Sequence, residues 1–281
     1  MIDNPHLNSS ADFRDPREDG RVCELCGGRE FSLLHGWNPD DPWNMATIPI
    51  AVWQCKCGFT FLHPMPTSNQ LPDSGDWWSP HRRQVSRRPG FKNRWRKIRH
   101  AIIGSSKQRL IWATRRAVPS GRLLDVGCGN GETLQIASEF YDCFGLEPSP
   151  QAAASARARG FPIIESTLED AEMVAGSFDV VLLDSVIEHV NSPHAFLKRI
   201  NRVLKIGGVV AVLTPKLNGP AHFFHGAAWN GFRHGYHTFL FTGKTLGQCL
   251  RDTGFEILRR PRRDRWLDDI LILWGRKFQD A

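Results

Sequence analysis

Three glycines, Gly127, Gly129 and Gly131, stand between an apolar run and a segment of helical character in the stretch RLLDVGCGNGETLQIA. Their spacing differs from the dinucleotide fingerprint G-x-G-x-x-G, because the third glycine comes one residue early. The stretch also lacks the Lys-Ser/Thr pair of a triphosphate-binding loop. Glu147 follows the next apolar run, where a carboxylate can accept hydrogen bonds from both hydroxyls of a ribose. The pattern favours a nucleoside without phosphates, with NAD as the alternative ligand.

Four cysteines form two close pairs, C-x₂-C at Cys23 and Cys26 and C-x-C at Cys55 and Cys57. Thiolates grouped in this way are typical ligands of a structural zinc ion. The second pair is one residue shorter than the usual zinc-ribbon spacing, so two alternatives to a four-cysteine site stay open. These alternatives are a substitute ligand, His35 or His63, and a module without metal.

Histidines supply the candidate bases. His189 lies in IEHV, directly after a predicted strand, where it could take a proton from an acceptor hydroxyl or serve only the structure. The later stretch HFFHGAAWNGFRHGYHTFLF holds four histidines and seven aromatic residues. The histidine spacings of three, nine and three match no regular metal-binding pattern, so an aromatic-lined acceptor pocket is favoured over a metal site. His237, at the end of this stretch, is a second candidate for a catalytic or structural role.

Predicted strands and helices alternate strictly from about residue 118 onward, which indicates a doubly wound, mostly parallel α/β sheet. Ligands of such sheets bind at the carboxyl ends of the strands, where Asp125, Glu147 and Asp184 are expected. A final pair of strands, joined by a charged turn, closes the chain. Ahead of this domain (117–281) we expect a flexible tail (1–20), a small β-rich module (21–66), and a linker with a basic helical segment (67–116).

Composition narrows the functional classes. The chain has 281 residues, 41% of them hydrophobic, and a net charge of +7. Its seven cysteines and polar N-terminus speak against a disulfide framework and a signal peptide, and the sequence contains no apolar run of about 18 residues, so a cytoplasmic protein is expected. All charged residues from Arg82 to Arg116 are basic. This basic block could attract an anionic partner (nucleic acid, lipid surface or phosphorylated substrate) or form a solvated helix face.

Four stretches in order resemble the signatures of class I S-adenosylmethionine-dependent methyltransferases: LLDVGCGNG, GLEPS, FDVVLLDSVIEHV and RVLKIGGVVAVLTP. The resemblance covers roughly residues 120–281. It implies a Rossmann-like sheet, mostly parallel with an antiparallel C-terminal strand, and S-adenosylmethionine as cofactor. It further implies that Asp125 and the glycine loop, with Cys128, meet the methionine end of the cofactor, and that His189 faces the methyl acceptor. The remaining implied contacts are Glu147 at the ribose, Leu168 and Glu169 at the adenine, and Asp184 and Ser185 beside the sulfonium.

Two of these residues also have a purely structural interpretation: Leu168 as a core residue and Asp184 as a helix cap. The cysteine-rich module, the motif CGF-x-F-x₂-P-x-P and the stretch HTFLFTGKTLGQCLRDTGFEIL resemble a bacterial methyltransferase group that often acts on sugars or other small metabolites. In related enzymes a histidine at the position of His237 can be structural.

The leading hypothesis is a methyltransferase that modifies a hydroxyl, or less readily an amine or carbon, of a small-molecule or glycosidic acceptor. One alternative is an RNA methyltransferase that uses the cysteine module and the basic block as an RNA platform. The other is a non-catalytic interaction protein built on a zinc ribbon. The intact glycine loop and Glu147 speak against the last of these.

Overall fold

The computed structural model describes residues 13–41, 44–71, 105–229, 231–232, 235–258 and 269–281. The strands in chain order are β1 (Phe31–Trp37), β2 (Ile50–Cys55), β3 (Thr60–His63), β4 (Arg122–Val126), β5 (Asp142–Leu146), β6 (Ile163–Ile164), β7 (Phe178–Asp184), β8 (Leu204–Pro215), β9 (Phe239–Leu240), β10 (Phe255–Ile257) and β11 (Ile270–Lys277). The α-helices are α1 (Ser106–Ala117), α2 (Glu132–Ala137), α3 (Pro150–Arg157), α4 (Pro193–Val203), α5 (Pro220–His225) and α6 (Gly243–Asp252).

The larger of the two sheets has seven strands in the order β10-β11-β8-β7-β4-β5-β6. Strands β4 to β8 pair in parallel, whereas β11 runs antiparallel to both of its neighbours. The strand order reverses at β4, which has β5 on one side and β7 on the other, and sheets of this kind bind their ligands in a crevice above the carboxyl ends of these strands. This architecture confirms the predicted α/β fold with an antiparallel C-terminal strand.

The sequence explains these elements locally. Strands β7 and β8 are nearly continuous apolar runs because helices cover both faces of the sheet. Helices α3 and α4 each begin with a serine N-cap followed by proline at the first turn; the hydroxyls of Ser149 and Ser192 accept bonds from Ala152 N and Ala195 N. These helix starts follow directly on the loops that leave β5 and β7, so the caps fix the loops as well.

The smaller sheet is antiparallel, in the order β1-β2-β3-β9. Its first three strands come from the predicted β-rich module, but β9 comes from residues assigned to the methyltransferase domain. Two residues from the predicted tail contact the module: Phe13 packs against Gly36, and Asp19 Oδ2 lies 3.0 Å from His63 Nε2. The module is therefore larger than residues 21–66 and is built from two distant parts of the chain.

One hydrophobic core joins the module to the larger sheet. Buried Cys23, Phe59 and Phe61 belong to the same cluster as Leu146 and Leu183. The opposite face of the sheet packs against α1, α2 and α3 through a second cluster. Of the basic block, residues 82–104 lie outside the described part of the chain, and residues 106–116 lie in α1. Among the helices that the structure describes, none combines the length and apolarity needed to cross a bilayer.

Candidate active site

The glycine loop leaves the end of β4 at the point where the strand order reverses. Gly127, Gly129 and Gly131 all adopt positive φ angles of 68°, 55° and 80°, a region that glycine enters without steric cost. A Cβ atom on Gly127 would lie 2.8 Å from the Val186 side chain, so this position also requires the missing side chain for space. The loop thus presents bare backbone to the crevice, as the sequence predicts for a closely approaching ligand.

Glu147 follows β5 and is buried, with 3% of its surface exposed. Its Oε2 atom accepts a hydrogen bond of 2.9 Å from Gly129 N, and its Oε1 atom accepts one of 2.9 Å from Ser149 N. The carboxylate is therefore held from both sides by backbone amides of the two loops that border the crevice. An ionised carboxylate can accept about four hydrogen bonds, so two sites remain for a pair of hydroxyl donors.

Asp125, in β4, is 1% exposed, and neither of its carboxylate oxygens has a hydrogen-bond partner among the described residues. Burial raises the pKa of this carboxyl well above its usual range, and the nearby charge of Asp184 adds to the effect. A buried carboxyl without a hydrogen-bond partner destabilises the folded protein unless a bound ligand supplies that partner. The position is therefore suited to a cationic or hydrogen-bond-donating group such as an ammonium.

Asp184 ends β7 and borders the same crevice. Its Oδ2 lies 3.4 Å from Thr133 Oγ1 in α2 and 4.0 Å from Lys107 Nζ in α1, and burial raises its pKa. The segment after it, residues 185–191, forms turns and bends, so Asp184 does not cap a helix there. Ser185 itself has a φ of 61°, which is uncommon outside glycine. Lys107, which also pairs with Glu132 at 3.1 Å, was not identified as a site residue in the sequence because it lies in the basic block, outside the loop motifs.

The remaining cofactor candidates differ in accessibility. Leu168 is 4% exposed and belongs to the core cluster with Leu146, which supports the packing interpretation of this residue. Glu169 is exposed to solvent. The Cys128 side chain is buried against β5, where a Cβ atom on Gly145 would lie 2.6 Å from its sulfur. Only the backbone of Cys128 is thus placed to meet a ligand in the loop.

The two candidate bases lie together. The His189 and His237 rings contact each other edge to face, with centroids 4.7 Å apart. His189 Nδ1 lies 2.8 Å from Tyr236 O, and His237 Nδ1 lies 2.6 Å from Gly231 O. Because a carbonyl oxygen only accepts, each Nδ1 carries the proton in the neutral ring and each Nε2 is the basic nitrogen.

Glu188 completes this group and was overlooked in the sequence, although it stands beside His189 in IEHV. Its Oε2 atom accepts a 2.9 Å hydrogen bond from Thr214 Oγ1 in β8. The ligand atoms of Glu188, His189 and His237 all lie within 4.8 Å of one another. A carboxylate and two imidazoles could serve in proton transfer or hold a divalent cation.

The four cysteines of the module converge. Their sulfur atoms all lie within 4.8 Å of one another, with Cys23 Sγ 3.6 Å from Cys57 Sγ and Cys26 Sγ 3.6 Å from Cys55 Sγ. A tetrahedral zinc ion with Zn–S bonds of about 2.3 Å requires sulfurs about 3.8 Å apart, so the spacing suits such an ion. Neither alternative histidine joins the group, because His63 faces Asp19, and His35 packs against Trp37 and Phe232.

Comparison with solved structures agrees with this architecture. A crystal structure of an S-adenosylmethionine-dependent methyltransferase from Mesorhizobium loti has a TM-score of 0.50 at 20% identity, covering 62% of this chain and 99% of that chain. At this identity the likeness concerns the fold alone.

Curated relatives match parts of the chain. The ubiquinone biosynthesis O-methyltransferase of Xanthomonas oryzae pv. oryzae is 30% identical over 162 residues, which are 52% of this chain and 65% of that protein. The trans-aconitate 2-methyltransferase of Deinococcus radiodurans is 32% identical over 100 residues, 34% of this chain and 39% of that protein. The chain thus spans less than two thirds of the length of these relatives. A family model described as a methyltransferase domain matches residues 94–260, more than half of the chain, and this chain belongs to that methyltransferase family.

Proposed function

We propose that this chain is an S-adenosylmethionine-dependent methyltransferase that acts on a hydroxyl of a small-molecule or glycosidic acceptor. The observation that carries the proposal is the pair of buried carboxyls beside the glycine loop. Glu147 is held by two backbone amides, whereas Asp125 has no partner within the described part of the chain. Glu147 is preorganised to accept hydrogen bonds from ribose hydroxyls, and Asp125 is suited to bind a cationic group. A nucleoside linked to an amino acid offers both groups.

In this proposal each residue of the crevice has a separate task. Glu147 binds the ribose, and Asp125 with the backbone of Gly127 and Gly129 binds the amino-acid end. Asp184 and Ser185 border the reacting centre from the end of β7. When bound, S-adenosylmethionine supplies a methyl group on a sulfonium, which is a good leaving group, so the protein mainly has to align the acceptor.

Proton removal from the acceptor falls to His189. Its Nδ1–H is directed at Tyr236 O, so Nε2 can take the hydroxyl proton as the acceptor oxygen gains the methyl group. His237 packs against this ring and limits its rotation. By name, one relative is an O-methyltransferase of ubiquinone biosynthesis and the other is a trans-aconitate 2-methyltransferase. These names support a small-molecule acceptor for this chain.

Two measurements test this function in order. Calorimetry with S-adenosylhomocysteine and with NAD should give binding of the first and none of the second; the reverse result would refute the proposal. Incubation with methyl-labelled S-adenosylmethionine and fractionated cell extract should then place label in small polar metabolites. Label in RNA would instead favour the RNA methyltransferase alternative, and cofactor binding without any labelled product would favour a non-catalytic protein.

The cysteine cluster is proposed to hold one structural zinc ion. Four sulfurs at tetrahedral spacing form a closed site with no position left for a substrate, which is the arrangement of structural rather than catalytic zinc. The backbone N–H of Gly28 donates to Cys26 Sγ at 3.4 Å, as it would to a thiolate that binds a metal. Metal analysis of protein purified without added zinc should give about one equivalent per chain. A folded protein free of metal would contradict this proposal.

A further inference from the structure

A glutamate inside the first cysteine pair reaches out of the module. Glu24 lies between Cys23 and Cys26, and its Oε1 atom accepts hydrogen bonds from Ser192 Oγ at 2.6 Å and from His194 N at 2.8 Å. His194 Nδ1 also lies 3.2 Å from the same oxygen, and its Nε2 lies 3.5 Å from Asp252 Oδ2 in α6. The loop that bears two of the four clustered thiols is thus bound to the first turn of α4.

A second connection runs from the module to the same region. Strand β3 pairs with β9, and Leu62 N donates a 2.8 Å bond to Thr238 O. Thr238 in turn donates from its backbone N to Glu188 O at 2.7 Å and from its hydroxyl to Val190 O at 2.9 Å. Residues 188–190 are therefore held by a strand that the module itself holds.

These two connections enclose one short segment, residues 185–192. It carries Ser185 beside the crevice and His189 next to His237. Thr238, which precedes β9, binds it at residues 188 and 190, and Glu24 binds it at Ser192. On the basis of the zinc site and the role of His189 proposed above, we infer that Glu24 is a positioning residue for His189. Through Glu24, metal binding by the cysteines sets the placement of the candidate base.

The coupling has a direct physical basis. The four sulfurs converge within 4.8 Å of one another, so a bound cation would tie the loop of Cys23 to Cys26 to the second cysteine pair. Release of the metal therefore frees Glu24 from its place over α4. The N–H of His194 in the first turn of α4 then loses a charged acceptor, and the preceding segment loses the hydrogen bond at Ser192, one of several that hold it.

Hydrogen exchange on the full chain, with zinc bound and after chelation, measures this coupling without any acceptor. In zinc-loaded protein, Glu24→Ala should speed exchange of the amides of residues 186–196 by about ten- to hundred-fold, the factor expected on loss of a hydrogen bond to a charged group. Zinc content should be unchanged. The matched control is Glu30→Ala, which removes a 75% exposed carboxylate of the same module that pairs with Lys56, and it should leave this exchange as it is.

Chelation of the unchanged chain should give the same acceleration in residues 186–196, and chelation of the Glu24→Ala variant should add little more. The inference is overturned if chelation affects only the cysteine loops, if the two effects add fully, or if the purified protein holds no zinc. If Glu24→Ala fails to fold, Glu24→Gln takes its place. Glutamine keeps one acceptor oxygen but loses the charge, so the amides of residues 186–196 should exchange at rates between those of the unchanged chain and those after chelation. Full protection of these amides in Glu24→Gln would refute the inference. Calorimetry with S-adenosylhomocysteine on the same samples tests the methyltransferase proposal separately.

Discussion

Replacing Glu147 with glutamine should disable the proposed ribose site, because glutamine cannot reproduce its contacts. Both carboxylate oxygens accept backbone hydrogen bonds of 2.9 Å, one from Gly129 N and one from Ser149 N. A glutamine amide has one acceptor and one donor, so in either orientation its NH₂ group faces one of these N–H groups. The substitution therefore removes the charge and also disturbs the glycine loop on one side of the crevice.

The magnitude follows from the bonds lost. A hydrogen bond to a charged group contributes about 1.5–3 kcal/mol, and the Glu147 carboxylate can accept one from each of two ribose hydroxyls. Because glutamine retains a weaker neutral acceptor, we expect a loss of roughly 2–4 kcal/mol in binding free energy. This corresponds to an increase of about thirty- to thousand-fold in the dissociation constant.

Isothermal calorimetry with S-adenosylhomocysteine measures this change, and a thermal denaturation scan ensures that the variant is folded. Glu165→Gln is the matched control, since Glu165 pairs with Arg157 at 2.8 Å on the surface, with side chains 38% and 44% exposed. Such exposed pairs contribute about 0–1 kcal/mol, so this variant should bind the ligand normally. If Glu147→Gln binds within about threefold of the unchanged chain, a factor below the roughly tenfold worth of one such bond, the ribose lies elsewhere and the assignment is wrong.

Three further outcomes are expected. Because the pKa of Asp125 is raised on folding, the folded protein holds an extra proton above pH of about 4, and stability should fall as pH rises through the raised pKa. Asp125→Asn should abolish this fall in thermal scans across pH while weakening S-adenosylhomocysteine binding; a parallel pH profile would refute the argument. His189→Gln should slow single-turnover methyl transfer by about 10²- to 10⁴-fold at unchanged ligand affinity, whereas the exposed His225→Gln should not. If the basic block of Arg82 to Arg116 borders the acceptor site, changing its arginines at 87, 88, 94 and 96 together to glutamine should remove the salt dependence of turnover, since such attraction is screened beyond about 8–10 Å. Turnover with unaltered salt dependence would leave the block a solvated face.

The parts of this fold that could be predicted are those encoded by neighbouring residues. Continuous apolar runs predict β7 and β8, because strands of a covered parallel sheet bury both faces. The glycines at 127, 129 and 131 predict a loop of unusual backbone, since positive φ favours the residue without a Cβ. The short spacing within each cysteine pair likewise brings thiols together by local geometry alone.

Contacts between distant residues could not be predicted in this way. Glu24 and His194 are 170 residues apart, and an acidic residue between two cysteines gives no indication that it will bind a helix start. The neighbourhood of Glu188, His189 and His237 likewise depends on how the chain returns after β8. The burial of Leu168 among core side chains accounts for an apolar residue there, and its contact with adenine stays a prediction.

The placement of β9 explains why a boundary drawn from composition misleads at residue 66. Phe239 and Leu240 form only two residues of strand, too few for any alternating pattern to mark them, yet they complete the sheet of the module. Their side chains are fully or almost fully buried, and Phe239 packs against Phe59 with centroids 5.5 Å apart. A module whose last strand is borrowed from the domain beside the crevice cannot move independently of it. The metal ion proposed for the cysteines, at one end of this shared core, would therefore also help to hold the proposed acceptor side of the crevice in place.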